Sequence, residues 1–417
     1  MDSRELNWLV SVDDHVLEPG DLWLRRLPSK YHDVVPRLVG EGADQVWVYE
    51  DKRMQVAQLN AVVGTKKEQW TMGAVSYDQM RRGCYDPVAR VADMDAAGIL
   101  ASLCFPSITR FCGQTFWEAK DKDLALLCLR AYNDWMIEEW CGSAPGRYIP
   151  LIIIPLWDPQ EAAAEVRRNA ARGAHAMCFS ENPEPLGLPT VWDPDRYWNP
   201  VWDACQETAT VVCMHIGSSS NVPKVSSDFP WSFNQPWAAW VVTSGTLLSW
   251  LLSPTFLEFP GLKIALSEGG IGWMPYVLER AAQIVDRRQA LLARGEEFDQ
   301  DSHQILTNAA RGLDFRGFDI HQAFREHVFG CFIDDLHGVV NAREIGIDNI
   351  MIETDYPHSD STWPDCITHA QKQLSANTTL TDEEKCKILR GNAERLFHFS
   401  PAEPPVRNIS GSASGQQ

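Results

Sequence analysis

The sequence predicts an α/β protein built as a (β/α)8 barrel, the TIM-barrel architecture, with a small cap inserted after the first strand. Short apolar runs alternate with helical patterns along most of the chain, which is typical of βα units. The first and the last of these runs both end in Asp and His residues, and these two strands are neighbours in a closed barrel. No Gly-rich phosphate loop follows the first strand, which argues against a doubly wound open sheet.

Eight apolar runs have the length of buried parallel strands. In chain order they are Trp8–Val12, Ala101–Phe105, Tyr148–Ile154, Ala174–Phe179, Val211–His215, Lys263–Ser267, Val328–Ile333 and Asn349–Glu353. Helical patterns lie between and after them. These predict helices at Pro87–Ala97, Trp117–Trp140, Pro159–Arg172, Pro200–Thr208, Gln235–Leu252, Met274–Ala293, Leu336–Ile345, Cys366–Ser375 and Thr381–Phe397. The alternation supports one barrel domain over residues 1–399.

Two intervals are longer than ordinary βα loops, which have about 2–6 residues. Residues 20–82 contain a hairpin pattern, Gln45–Glu50 with Arg53–Leu59, so we expect a cap beside the barrel mouth that adds no barrel strand. Residues 286–327 are charged and predict a second, helical insertion. Residues 400–417 are rich in Pro, Ser and Gly, which predicts a disordered tail.

Composition narrows the function classes. With 417 residues, 45% hydrophobic and 22% charged, the chain can bury a large core. The net charge of −19 argues against nucleic acid or an anionic membrane as partner, and no apolar run reaches the roughly 20 residues of a membrane span. Eleven scattered cysteines indicate reduced thiols. We therefore expect a cytoplasmic enzyme that acts on a small molecule and forms homo-oligomers.

Asp13 and His15 lie two residues apart at the end of the first strand, so both point to one face, which is the lumen in a barrel. A carboxylate beside an imidazole suits zinc, manganese or iron. Asp14 and Glu18 add further carboxylates. Because Asp and His also cap strand ends, this pair is weak evidence by itself.

Two other strand ends carry groups of the same kind. A His after a buried strand is most often a hydrogen-bonded core residue, but the fifth strand should place His215 across the barrel mouth from Asp13. Glu268 ends the sixth strand, before a Gly-Gly pair. It can be a metal ligand, a general base or the N-cap of the next helix.

The last strand ends in Asp355, which can bind a metal or accept the proton of a metal-bound water. His358 follows as a second catalytic candidate for proton transfer, and Asp360 as a supporting group. Asp334-Asp335, with His337, closes the seventh strand and is a weaker candidate site.

Two kinds of residue are candidates for substrate binding. Arg110, after the second strand, can hold a carboxylate in the fork of its guanidinium, although a surface arginine explains it equally well. Trp237 falls in a segment predicted near the mouth, and we expect it to line an aromatic pocket. Three further tryptophans share that expectation: Trp231, Trp240 and Trp363.

Taken together, four motifs resemble the metal-dependent amidohydrolase superfamily: D-x-H after the first strand, VCMHIG at the fifth, a Gly-rich turn at the sixth and TDYPH at the eighth. The resemblance spans roughly residues 8–398 and includes the helix KILRGNAERLF. It is closest to the amidohydrolase-2 branch that holds aminocarboxymuconate semialdehyde decarboxylase, resorcylate decarboxylases and a meta-cleavage-product hydrolase.

This resemblance implies that Asp13, His15, His215 and Asp355 bind a divalent metal. We expect zinc, manganese or iron, and a second metal ion if Glu268 is also a ligand. The chain departs from the family twice: many relatives have His where Asp13 stands, and they commonly have a catalytic His where Glu268 stands. We therefore expect a hydrolase or decarboxylase of a small carboxylic or aromatic-derived substrate. The alternative is a non-heme iron or di-iron oxygenase on the same scaffold, because there are more possible ligands than one zinc ion requires. These seven residues are Asp13, His15, Glu18, His215, Glu268, Asp355 and His358.

Overall fold

The computed structural model describes residues 6–293, 296–299, 304–307 and 318–405. Its strands are β1 (Leu9–Val16), β2 (Arg37–Val39), β3 (Val46–Tyr49), β4 (Lys52–Met54), β5 (Ile99–Pro106), β6 (Tyr148–Ile149), β7 (Leu151–Ile152), β8 (Ala176–Ser180), β9 (Val211–His215), β10 (Ile264–Ser267), β11 (Glu296–Asp299), β12 (Gln304–Thr307), β13 (Val328–Phe332) and β14 (Ile350–Ile352).

The helices surround the parallel strands. They are α1 (Leu22–Arg26), α2 (Pro87–Ala97), α3 (Gln114–Trp117), α4 (Lys122–Trp135), α5 (Pro159–Ala170), α6 (Asn199–Thr208), α7 (Trp231–Leu251), α8 (Thr255–Glu258), α9 (Met274–Ala293), α10 (Ile320–His327), α11 (Leu336–Val340), α12 (Ala342–Ile345), α13 (Cys366–Ser375), α14 (Asp382–Cys386) and α15 (Asn392–Leu396). Across the described ranges, no helix is both long and apolar enough to cross a bilayer.

The buried parallel strands form two sheets, ordered β1-β5-β6 and β14-β13-β10-β9-β8-β7. The chain runs directly from β6 to β7 through Pro150, which has no N–H for a strand ladder. At the other seam, Asp355 N donates to Asp13 O at 2.9 Å and His15 N donates to Tyr356 O at 2.6 Å. The result is a TIM-barrel-like α/β fold whose strands follow chain order, with two hydrogen-bonded sheets in place of one continuous closed sheet.

Several predicted elements match the structure at both ends, among them β9, α2, α9 and α13. The single helix predicted at Trp117–Trp140 is wrong. The Asp121 carboxylate accepts a hydrogen bond from Leu124 N and begins α4 as a separate helix, as short polar N-cap side chains do. The following turn, Met136–Cys141, is a π-helix.

The interval 20–82 contributes β2, β3 and β4, which form their own antiparallel sheet in that order. The predicted hairpin is present as β3 and β4, shorter than expected. Val62 N and Val63 N both donate to Pro357 O, at 3.0 and 3.3 Å. This interval therefore touches the segment that follows β14.

The second insertion differs from the prediction. Residues 286–293 continue α9, but β11 and β12 then pair antiparallel, so the expectation of a wholly helical segment is wrong. The β-branched residues Ile305 and Thr307 favour a strand, and the high charge of the interval obscured this signal. The tail prediction falls mostly on residues 406–417, which lie outside the described residues.

Helix starts explain why several of these elements begin where they do. The Asp86 carboxylate accepts hydrogen bonds from Val88 N and Ala89 N ahead of α2, and Asp158 does the same for α5. In both helices Pro occupies the first turn, where its missing N–H costs nothing. All eleven cysteines are buried free thiols, as the sequence predicted.

The end of α6 offers a test of backbone strain. Ala209 caps this helix with φ +51°, in the left-handed region, and its side chain is exposed. We expect Ala209→Gly to stabilise the protein by about 1 kcal/mol, since glycine enters this region without a Cβ penalty. The same change at exposed Ala164, in the middle of α5, should destabilise by about 1 kcal/mol. Urea unfolding of both variants measures the change in the free energy of unfolding. Changes of the same sign in the two variants would contradict the expectation.

Candidate metal centre

The carboxyl ends of four parallel strands bring metal-ligand side chains together. β1 supplies Asp13 and His15, β9 ends in His215, Glu268 follows β10, and Asp355 lies three residues beyond β14. Asp13 and His15 share a face because successive strand residues alternate sides. Sequence analysis expected Asp13, His15, His215 and Asp355 to meet here, from the positions of their strand ends and from the family resemblance.

The donor atoms lie within a few ångströms of one another. His15 Nε2 is 3.1 Å from Asp355 Oδ1 and 3.6 Å from Asp13 Oδ1. His215 Nε2 is 3.5 Å from Asp13 Oδ2 and 3.4 Å from Glu268 Oε2. Two groups therefore have the spacing of a metal site and share one residue. One is Asp13, His15 and His215, and the other is His15, Glu268, Asp355 and His358.

Most of these donor atoms are buried and lack a well-formed hydrogen bond among the described residues. They are both Oδ atoms of Asp13, both ring nitrogens of His15, His215 Nε2, Asp355 Oδ1 and His358 Nε2. Buried polar atoms are rarely left in this state. A divalent cation is a partner that such a set of carboxylate and imidazole donors fits.

Burial favours the neutral form of the two central histidines, His15 and His215. Burial lowers the pKa of His215 to about 4 and the pKa of His15 well below its usual value. His215 Nδ1 lies 2.6 Å from Ile216 O, a contact that requires the proton on Nδ1. Nε2 then keeps its lone pair and faces Asp13 and Glu268, as a metal-binding imidazole requires.

The carboxylates repel one another in the absence of a cation. Burial, and then the charges of Glu353, Glu268 and Asp355, raise the pKa of Asp13 well above its ordinary value. Burial also raises the pKa of Glu268 and, to about 8, that of Glu353. Asp355 is the exception: burial would raise its pKa, but His358 and His15 hold it below the ordinary value.

Local backbone geometry aims two of the carboxylates. Glu268 has φ +58° and Asp355 has φ +49°, in a region that residues with a Cβ rarely occupy. Glu268 N donates to Glu353 Oε2 at 3.2 Å. Strained backbone of this kind concentrates at functional sites, and no sequence pattern indicated it.

Exposure separates the donors into two classes. The side chains of Asp13, His15 and Asp355 are at most 1% exposed, whereas Glu268 is 21% and His358 is 12% exposed. His358 stacks on His15 with ring centroids 3.7 Å apart. Glu268 and His358 are therefore the members of the cluster that a substrate can reach.

Two carboxylates of the first strand end serve the scaffold. Asp14 accepts hydrogen bonds from Ser11 Oγ at 3.1 Å and Tyr356 N at 3.0 Å, so it points away from the cluster. Glu18 accepts from Ile108 N at 2.9 Å and Thr109 N at 3.2 Å. It fixes the loop after β5 instead of joining the metal ligands.

Glu18 also predicts a pH dependence of stability. Burial raises its pKa from an ordinary 4.5 to about 7, so the folded chain keeps this proton over a pH range in which the unfolded chain has lost it. The contribution of Glu18 to the free energy of unfolding must then fall as the pH rises from 4.5 to 7. Since a glutamine side chain cannot ionise, the stability of wild type relative to Glu18→Gln should decline by about 3 kcal/mol across this window.

Urea unfolding at several pH values measures this difference. Exposed Glu344→Gln controls for the change in net charge, and its curve should run parallel to that of the wild type. Parallel curves for wild type and Glu18→Gln would contradict the expectation.

The candidates at the seventh strand end do not join the cluster. Asp335 accepts hydrogen bonds from Ile271 N at 2.7 Å and Gly338 N at 2.7 Å, so it ties the turn after β10 to α11. Asp334 and His337 are exposed. Asp360 lies closer, with Gln235 Nε2 at 3.3 Å from its carboxylate.

The predicted substrate-binding residues lie outside the cluster. Arg110 already has partners, Glu118 at 2.9 Å and Ser220. Trp237 lines a cavity of about 490 Å³ beside α7. The other predicted tryptophans do not line it: Trp231 and Trp240 are exposed, and Trp363 donates to Asp93 O.

Sequence analysis missed several residues around the centre. Glu353 was included only as the last residue of the predicted strand Asn349–Glu353, with no role assigned to it. Phe111 packs on His215, with ring centroids 4.2 Å apart. Arg90 is fully buried and donates to His15 O. The signal that could have revealed Arg90 is its position as a charged residue on the buried face of α2.

Comparisons with known proteins show which family and which relatives this chain is similar to. The profile of a family described as "Amidohydrolase" matches residues 32–399. A gamma-resorcylate decarboxylase from Rhizobium sp. (strain MTP-10005) is 27% identical over 325 residues, which cover 75% of this chain and 87% of the relative.

Solved structures share the fold. An amidohydrolase from Mycobacterium avium subsp. paratuberculosis K-10 has a TM-score of 0.64 at 19% identity, covering 97% of this chain and 99% of that one. A dihydroxybenzoic acid decarboxylase from Polaromonas sp. JS666, with bound manganese and the inhibitor 2-nitroresorcinol, has a TM-score of 0.57 at 19% identity, covering 95% and 99%.

Proposed function

We propose, because this chain belongs to the amidohydrolase family, that it is a metal-dependent decarboxylase of an aromatic carboxylate. The observation that carries the proposal is the cluster of buried carboxylate and imidazole donors without hydrogen-bond partners at the strand ends. The curated relatives and several neighbouring structures are decarboxylases of dihydroxybenzoates, which supports this substrate class over a hydrolysable amide.

Asp13, His15, His215 and Asp355 would hold one divalent cation, with Glu268 as a fifth donor or as a base. Manganese is the first choice, since it is bound in a related structure. When bound, such a cation supplies Lewis acidity to a coordinated substrate oxygen. It would also lower the mutual repulsion of the buried carboxylates.

The charge of the site argues for metal dependence. Asp13, Glu268, Glu353 and Asp355 bring four carboxyl groups together, and Arg110 is engaged by Glu118. An anionic substrate would be repelled from this surface without a cation. The protein therefore contributes a negatively charged cradle, and the substrate carboxylate requires the metal charge for binding.

Decarboxylation exchanges a carboxylate for a hydrogen. The ring carbon accepts a proton, the bond to the carboxylate carbon breaks, its electron pair returns to the ring, and CO2 leaves. The proton must come from a group that the substrate can reach, and Glu268 and His358 are the exposed members of the cluster. We assign proton transfer to these two side chains.

The test is a direct assay of the purified, manganese-loaded protein. A panel of carboxyl-¹³C-labelled hydroxybenzoates should release labelled CO2, and dialysis against a chelator should abolish the release until manganese is restored. Release of a hydrolytic product from ester or amide substrates, without labelled CO2, would favour the hydrolase alternative. None of the matched relatives supports the oxygenase alternative.

We also propose roles for the interval 20–82 and for the barrel that surrounds the site. The interval 20–82 acts as a cap, because its Val62 and Val63 bind Pro357, next to Asp355 and His358. The parallel strands of the two sheets act as one barrel domain over residues 1–399. Homo-oligomeric assembly and a cytoplasmic location stay predictions.

A further inference from the structure

A cavity of about 490 Å³ lies beside α7, separate from the residues of the metal centre. Its walls come from the segment after β8, the loop after β9 and one partly exposed face of α7. Its volume falls in the range of small-molecule pockets, roughly 300–1,000 Å³. Since no member of the metal cluster lines it, binding there is independent of the proposed decarboxylation.

Hydrogen bonds tie the two walls together. Thr246 Oγ1 donates to Glu181 O at 3.0 Å, and Trp192 Nε1 donates to Ser249 O at 3.0 Å. Both contacts join α7 to the segment that follows β8. The space between these walls is therefore a fixed feature of the packing.

Gly245 marks the open side of this cavity. It lies inside α7 and lines the cavity, and a Cβ built on it would meet no atom within 4 Å. Its φ is not positive, so the backbone does not require glycine. A glycine inside a helix costs about 1 kcal/mol relative to alanine. This position is exposed at the rim of the cavity, so a large side chain placed there can extend over the open space.

The lining defines the chemistry of that ligand. Trp192, Trp237 and Trp250 contribute aromatic surface, and Asn182 and Asn221 contribute amides. Among the described lining residues there is no Lys, Arg or His, so an anion finds no opposite charge.

The acidic residues do not form a strong cation site either. The Glu181 carboxylate already accepts hydrogen bonds from Gly217 N at 3.1 Å and Ser219 Oγ at 2.8 Å, as well as from Ser218 Oγ. Glu184 is exposed, and its charge is screened by solvent.

We infer that this cavity binds one uncharged aromatic molecule with hydroxyl groups, such as a phenol or a benzenediol. The rings of Trp237 and Trp192 supply apolar contact, and the side-chain amides of Asn182 and Asn221 pair with the hydroxyl groups. The site lies next to the metal centre, because Ser219 belongs to the loop that begins after His215.

Calorimetric titration of the metal-loaded protein with resorcinol tests this site. Wild type should bind one resorcinol per chain at the cavity. Gly245→Phe fills the open space and should weaken this binding at least tenfold, whereas Gly245→Ala should leave it within threefold. In case Gly245→Phe does not fold, Trp237→Leu removes a wall and should weaken binding to a similar extent. Trp231→Leu, on the same helix but outside the cavity, is the matched control.

Three results would overturn the inference. Resorcinol binding that survives both Gly245→Phe and Trp237→Leu would place the probe elsewhere, including at the metal centre. If wild type shows no saturable binding of resorcinol, the cavity does not bind this class of ligand. Tighter binding of benzoate or of benzyltrimethylammonium than of resorcinol, lost in the same variants, would identify an anion or a cation site instead.

Discussion

Replacing Asp13 by Asn should have opposite effects on the metal-loaded and the metal-free protein. The change removes one of the carboxylates that face His15 and His215, so metal affinity should fall by more than about 100-fold, beyond the loss typical of residues that only support a ligand. Turnover should fall with it. In chelator-treated protein the same change removes a buried carboxyl group. Burial and the charges of neighbouring carboxylates raise the pKa of this group.

The metal-free variant should therefore be more stable than metal-free wild type, by about 1–4 kcal/mol at pH 8. Metal per chain, measured by elemental analysis, and urea unfolding with and without chelator give both quantities. Exposed Asp33→Asn is the control for the loss of one charge. A variant with wild-type metal content would remove Asp13 from the ligand set, and an unchanged metal-free stability would show that the carboxylates do not repel.

Replacing Glu268 by Gln should lower the rate of turnover by roughly 10²–10⁴, the usual contribution of an acid–base group. The side chain is 21% exposed and its Oε2 lies 3.4 Å from His215 Nε2, so it is placed both to reach substrate and to bind metal. Gln keeps the size and shape of the side chain. The backbone hydrogen bond from residue 268 to Glu353 does not involve the altered atoms.

Metal content then separates the two roles. A slow variant with full metal content assigns Glu268 to proton transfer, and a slow variant with reduced metal content assigns it to the ligand set. Glu344→Gln, at an exposed position of α12, controls for net charge. A normal rate with normal metal content would make Glu268 a structural residue only.

Sequence patterns predicted the elements and the donor residues better than the details of the site. β9 and α2 are found at the predicted residues, because apolar runs and an Asp-Pro start are local signals. Asp13 and His215 meet because strand order follows chain order. The left-handed backbone at Glu268 and the buried charge of Glu353 depend on neighbours far away in sequence, so no local pattern reveals them.

The same limit applies to the cavity beside α7. Trp237 was predicted near the mouth from its position after the fifth strand. The sequence alone could not place Glu181 or Gly245 on the walls of one cavity, because they come from different elements that meet only in three dimensions. Arg110 was predicted to bind a substrate carboxylate. In the structure its guanidinium is paired with Glu118 instead, and the sequence alone could not reveal this contact.

The seam between β1 and the residues after β14 has a consequence for biosynthesis. Tyr356 N donates to Asp14 across 342 residues of chain, and Asp355 N donates to Asp13 O. During translation β1 therefore emerges early and waits for its last partner until nearly the whole chain has been made. Its apolar edge stays open for that time, and open edges invite intermolecular pairing. A nascent chain released before residue 355 would lack both this seam and one of the proposed metal ligands, so it would be prone to aggregation and to chaperone capture.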